Sequence, residues 1–194
     1  MRNTAKYRSA IALLSLFLLN GCAASIGAAT PFTAALSSCS IAPVADRMVP
    51  DNLVLLSSGL KYRINDVSVL GPTKRTIAPP ILAATFAKAL KRSLQQTGLL
   101  DVDARQSDQV YRLAANIISQ TRHGTFTTTT LELVVSYSLI SQQNVNNILW
   151  SGTITTSGKL QDWKSDACMR LRKLQERVSK QNLQELIRKL SQIN

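Results

Sequence analysis

Along residues 82–94 the large apolar side chains Leu82, Phe86, Leu90 and Leu94 recur every fourth position, with Ala83 and Ala87 beside them. That period belongs to a helix with one buried stripe, and Pro79-Pro80 ahead of it suits the first turn of such a helix. Lys88, Lys91, Arg92 and Gln95 fall on the opposite face. Gly98 stands where a left-handed cap would end the helix, and Leu99 follows to pack back on the last turn. Past residues 101–108 the period shortens to two. Tyr111, Leu113, Ala115 and Ile117 share one strand face; Leu131, Leu133, Val135, Tyr137 and Leu139 share another; Ile148, Trp150 and Ile154 share a third. The polar link 142–147 makes the second and third of these an antiparallel hairpin, with the first beside them.

Upstream, residues 52–57 and 60–70 carry short apolar and alternating runs that read as strands around a Ser58-Gly59 turn. Downstream of Trp163 the helical period returns. Ala167, Leu171, Leu174 and Val178 form one stripe, while Leu183, Leu186, Ile187 and Leu190 centre roughly 140° further round the wheel. The helix should therefore bend or change partners near residues 179–182. Asn182 lies between the stripes and, if buried, must be hydrogen-bonded. The order is β-α-β-β-β-α. It predicts an α+β, two-layer sandwich: an antiparallel sheet with two amphipathic helices on one face.

The first residues follow a different logic. Arg2, Lys6 and Arg8 precede an apolar run from Ile11 to Leu19, too short for the roughly 20 residues that cross a bilayer. The run ends in Leu19-Asn20-Gly21-Cys22, which resembles the bacterial lipobox. That resemblance implies cleavage before Cys22, acylation of its thiol and attachment to a membrane from the periplasmic side, with Ala23 matching the outer-membrane sorting pattern. The predicted organisation is a signal peptide over 1–21, a lipidated flexible tether over 22–50 rich in Ala, Ser, Thr and Pro, and one domain over 51–194.

Charge and cysteines refine this picture. The chain has 23 basic and 11 acidic residues, net +12, and loss of Arg2, Lys6 and Arg8 with a signal peptide leaves +9. Lys74, Arg75, Lys88, Lys91 and Arg92 have no acidic neighbour between them and form the candidate anionic-partner site. In this compartment the available anions are phosphorylated lipid headgroups, lipopolysaccharide and acidic proteins, not nucleic acid. Cys39 and Cys168 are left after acylation of Cys22. An oxidising compartment makes them a disulfide pair, closing a loop of about 130 residues and stapling the tether to the last helix.

Catalytic chemistry finds no foothold. His123 is the only histidine and precedes Gly124 in an expected turn; no Gly-x-Ser-x-Gly elbow, Gly-rich phosphate loop, CxxC pair or Cys/His cluster occurs. No enzyme activity, metal or cofactor is expected.

Over residues 67–190 the chain resembles a group of proteobacterial lipoproteins. The resemblance rests on Phe86-Ala87-Lys88-Ala89-Leu90, Thr97-Gly98-Leu99-Leu100, Tyr111-Arg112-Leu113-Ala114-Ala115, Val135-Ser136-Tyr137-Ser138-Leu139, Leu149-Trp150 and the Arg170-Leu171-Arg172 tail. The architecture is similar to YajG-like lipoproteins and to the LptE-like lipoprotein of the lipopolysaccharide translocon. This implies a β-α-β-β-β-α sandwich and a non-catalytic binding or assembly module, or an accessory factor for transport of lipopolysaccharide or phospholipid. It implies no particular ligand.

Overall fold

A computed structural model describes residues 39, 41–56, 62–72, 80–102, 109–124, 129–160 and 166–193. Among them the chain forms, in order, helix α1 (Ala45–Met48), strand β1 (Arg63–Leu70), helix α2 (Ala83–Gln96), strands β2 (Val110–Gly124), β3 (Thr129–Ser141) and β4 (Ile148–Leu160), and helix α3 (Ala167–Leu190). The class is α+β, built on one open, mixed four-stranded sheet in the order β1-β2-β3-β4.

The meander expected from the alternating patterns is present. β2 and β3 are antiparallel, with Leu113 opposite Leu139 and Ile117 opposite Val135, and β3 and β4 are antiparallel, with Tyr137 opposite Gly152. Every second residue of β3 is buried, from Leu131 through Leu139, while the intervening Thr130, Glu132, Val134, Ser136 and Ser138 keep partial solvent contact. This alternation gives the sheet one dry face. A register shift between Ile117 and Ser119 moves the parity of β2 by one, so that Gln120 rather than Ser119 is buried at its far end.

The sheet is not wholly antiparallel as the sequence led us to expect. β1 runs parallel to β2, with Val67 opposite Leu113. The reason is the connection. A strand followed by a 14-residue helix and another strand is long enough to cross over and return in the same direction, which a tight turn is not. After α2 the chain passes along the other side of β1, where Ile64 N donates to Leu99 O (3.1 Å) and Asp101 N donates to Ile64 O (2.8 Å).

The two long helices form as the pattern demands. α2 buries Phe86, Ala89, Leu90, Ser93 and Leu94 and contacts β1 and α3. Gly98 adopts φ 71°, and Leu99 N and Leu100 N both donate to Leu94 O, closing the helix at the expected left-handed cap. At its start no side chain caps Leu82; instead Gln120 grips the preceding residue, its Oε1 accepting from Ile81 N (2.9 Å) and its Nε2 donating to Ile81 O (3.1 Å). α3 is one unbroken helix of 24 residues that changes partners along its length. Its first half lies against β4, where Thr156 Oγ1 donates to Val178 O, and its end meets Tyr62, whose hydroxyl donates to Leu190 O (2.6 Å).

Two further expectations are corrected. Residues 41–50, taken as the end of a flexible tether, are packed: Ala45, Met48 and Val49 are buried, Met48 completely, and α1 contacts α2 and α3. Averaged composition hid the i, i+3, i+4 spacing of Ala45, Met48 and Val49. Residues 52–56 form no strand, and Val54 and Leu55 are exposed. The Ser58-Gly59 turn, Pro79, residues 125–128 and Trp163 lie outside the described residues.

Candidate functional site

The disulfide expected between Cys39 and Cys168 is formed, with Cα atoms 5.4 Å apart and a sequence separation of 129. Cys168 sits in the first turn of α3, whose N-cap Asp166 accepts a hydrogen bond from Cys168 N (2.6 Å). The bond fixes the chain ahead of α1 to the start of α3. From there residues 41–51 run as an arm across α3 and α2. Val44 N donates to Glu176 Oε1 (3.0 Å), a carboxylate that is itself buried and lies 3.5 Å from Arg172 Nε.

Of the five basic residues singled out in the sequence, Lys88, Lys91 and Arg92 lie together on the exposed face of α2; Lys74 and Arg75, like Cys22, lie outside the described residues. The reason for the grouping is helical geometry: Lys88 and Arg92 are one turn apart, and Ala84, Lys91 and Gln95 share the face. These side chains and Ala87 line a shallow, open groove of about 500 Å³. The alanines give it an apolar floor, and the cations stand along it.

The three cations are not equivalent. Arg92 is paired with Asp46 of α1, an ion pair whose side chains are 47 % and 57 % exposed. Lys88 and Lys91 have no ion-pair partner among the described residues. On α3 four basic residues meet carboxylates, while the exposed Lys173 and Arg177 have no ion-pair partner among the described residues. Lys180 Nζ lies 2.8 Å from Asp51 Oδ2, Arg172 faces Glu176, and both Arg188 and Lys189 meet Glu185. The hydrogen bond from Arg188 holds the Glu185 carboxyl below its usual range. Among the described members of the candidate set, the charges without an ion-pair partner are those of Lys88 and Lys91.

Sequence reasoning missed Asp46, because a pair separated by 46 residues leaves no local pattern. It also missed a second, smaller hollow of about 210 Å³ lined by Asp66, Arg112, Ser141, Gln142 and Val145. That hollow combines one acid and one base, so it does not extend the positive face. His123, placed in a turn from the sequence, is the penultimate residue of β2 and is exposed. Among the described residues no three His, Cys, Asp or Glu side chains cluster as metal ligands would, and no helix is long and apolar enough to cross a membrane.

These features define a small α+β domain with an arm clasped to its helices and a basic groove on one of them. No family model matches the chain, and no curated protein matches it by sequence. Among solved structures it is similar to protein XCC0632 from Xanthomonas campestris, assigned to the DUF330 family, with TM-score 0.52 and 12 % identity over 76 % of this chain and 89 % of that one. This similarity shows a shared fold. Lower similarities link it to the hypothetical protein CT253 from Chlamydia trachomatis (TM-score 0.48, 12 % identity, 68 % of this chain and 97 % of that one) and to a lipoprotein from Caulobacter crescentus (TM-score 0.41, 14 % identity, 64 % and 87 %).

Proposed function

We propose that this chain is a lipid-anchored, non-catalytic envelope lipoprotein, held to the outer membrane through acylated Cys22, with its domain facing the periplasm as a binding or assembly module. In this reading α2 and α3 form one layer over the dry face of the sheet, as in YajG-like and LptE-like lipoproteins. The exposed face of α2 then meets an anionic partner. The observation that carries the reading is the pair of exposed cations Lys88 and Lys91, which stand along an open groove without an ion-pair partner among the described residues. Acylation of Cys22 would tether the domain to a bilayer with phosphorylated headgroups, where each Lys or Arg near the surface contributes about 1 kcal/mol.

A second reading is an accessory lipoprotein for transport or assembly of lipopolysaccharide or phospholipid at the outer membrane. The alanine floor between the cations favours it, because an amphiphile needs an apolar bed beside its charge.

Both rest on one anchoring event and one face, and each is tested directly. Mass spectrometry of the protein from membranes should find Cys22 as an acylated first residue; an unprocessed N-terminus would remove the anchor. Photocrosslinking from Gln95 in intact cells should capture an envelope component, and Lys88→Glu with Lys91→Glu should abolish capture. Capture that ignores both substitutions would move the partner to another surface.

A further inference from the structure

Asp46 meets Arg92 from a backbone that has little freedom. Upstream of it the arm is bonded to α3 through Cys39 and Cys168; at Val44 its N–H is held by Glu176; two residues downstream Met48 is fully buried. The carboxylate is therefore presented to Arg92 by the fold. Only the side chain is free to leave, since both partners of the pair are about half exposed.

We infer that Asp46 is a built-in occupant of the α2 groove, holding Arg92 until an anionic phospholipid headgroup replaces it. This rests on the reading of α2 as an anion-binding face and adds how that face is regulated. A phosphodiester offers Arg92 the same acceptor oxygens that Asp46 offers, so the exchange swaps like for like. Lys88, one turn before Arg92 on the same face, and Lys91 beside it meet the headgroups first. Arg92 is then the third contact, reached by rotation of the Asp46 side chain into water while the arm stays in place. A membrane surface fits better than a free phosphate. The groove is open and shallow, and its described lining is all side chains of one helix rather than an enclosing nest of N–H donors. Several cations in a row gain from an array of headgroups as they cannot from a single small ion.

The test uses the full chain and the ratio of its partition coefficients between vesicles of phosphatidylglycerol in phosphatidylcholine and vesicles of phosphatidylcholine alone. Apolar attachment through the N-terminal segment contributes to both and cancels. Asp46→Asn should raise the ratio about fivefold, the worth of one freed cation at the surface. Arg92→Gln alone should lower it, because it removes the third contact and leaves the Asp46 carboxylate unpaired beside the headgroups. Arg92→Gln added to Asp46→Asn should erase the gain, and Lys88→Gln with Lys91→Gln should lower the ratio in either background. Unchanged thermal midpoints would show that the folds are intact. If Asp46→Asn leaves the ratio alone while the lysine changes lower it, the anion-binding face stands and the gating role falls. If the double variant keeps the gain, Arg92 is not the cation that Asp46 holds and the gate is again overturned. A ratio of one for every variant, Asp46→Asn included, overturns both readings.

Discussion

Tyr137 on β3 donates its phenolic hydrogen to Oδ1 of Asn182 on α3 across 2.5 Å, with both side chains buried. The amide nitrogen of Asn182 donates in turn to Ile154 O at 3.1 Å and to Thr156 Oγ1 at 3.3 Å on β4. One amide thus ties helix to two strands through an otherwise apolar contact, with Leu133, Val135, Leu183 and Leu186 fully buried. Its value lies in satisfying groups that would be costly to leave alone in the core.

Replacing Asn182 with Leu should therefore destabilise the domain despite the similar volume. The Tyr137 hydroxyl loses its acceptor and the Ile154 carbonyl a donor, and each buried unsatisfied group costs about 1–3 kcal/mol. Tyr137→Phe alone should cost about 1 kcal/mol. The double variant should be more stable than the sum of the two losses allows, because removing both partners deletes the stranded hydroxyl. Urea unfolding of the four proteins measures the coupling, and strict additivity would show that the two side chains do not act together.

Two buried phenols also set an alkaline limit. Burial pushes the Tyr137 hydroxyl well above its ordinary value, and burial does the same to Tyr62, whose hydroxyl is bonded to Leu190 O. In the unfolded chain both lose their protons near pH 10. The folded state then holds more protons than the unfolded one, so stability should be flat with respect to these groups below pH 10 and fall as the pH rises above it. Denaturant titrations between about pH 8 and 11 should show this slope. Tyr62→Phe and Tyr137→Phe should each flatten it, and a slope indifferent to both would place the alkaline sensitivity elsewhere.

Gly158 marks a close approach of α3 to β4. A Cβ there would lie 2.8 Å from Val178 Cγ1 and 3.0 Å from Leu174 Cδ1. The leucine methyl can swing aside, whereas the β-branched valine has few rotamers open to it in a helix. Gly158→Ala should cost about 1–3 kcal/mol through overpacking, and Val178→Ala in the same background should cost less than it does alone. Thermal unfolding of the pair decides it; a neutral Gly158→Ala would mean that α3 shifts freely on the sheet.

The parts of the fold that were legible in the sequence are those set by local period and caps. The Phe86, Leu90 and Leu94 stripe with Gly98 at its end gave α2, the alternation from Leu131 to Leu139 gave β3, and the position of Asn182 between two stripes implied its buried hydrogen bonds. The direction of β1 was decided by the helical crossover after it, a property of connection length that strand patterning does not contain. The arm was hidden for another reason. The residues before it are mostly small, and its stability comes from surfaces on α2 and α3 that are distant in sequence. For the same reason the basic face of α2 was visible as a run of charges, but the neutralisation of Arg92 by Asp46 was not.

The Cys39–Cys168 bond offers a measure of how far the arm depends on covalent help. It spans 129 residues, and in the chain-entropy model a loop of this size limits the unfolded ensemble by about 4–5 kcal/mol. Its loss should also act locally. The arm has a four-residue helix without a side-chain cap, an exposed ion pair at Asp46, another at Asp51 beyond the helix, and the Val44 N–Glu176 hydrogen bond, which leaves the burial of Ala45, Met48 and Val49 as its main remaining hold. Cys39→Ser with Cys168→Ser should therefore lower global stability by up to about 4–5 kcal/mol and raise hydrogen exchange at residues 45–48 more than in β3. Equal acceleration in both regions would mean that the arm opens only when the whole domain unfolds. Unchanged exchange at 45–48 would mean that the Met48 contacts, not the disulfide, hold the arm in place.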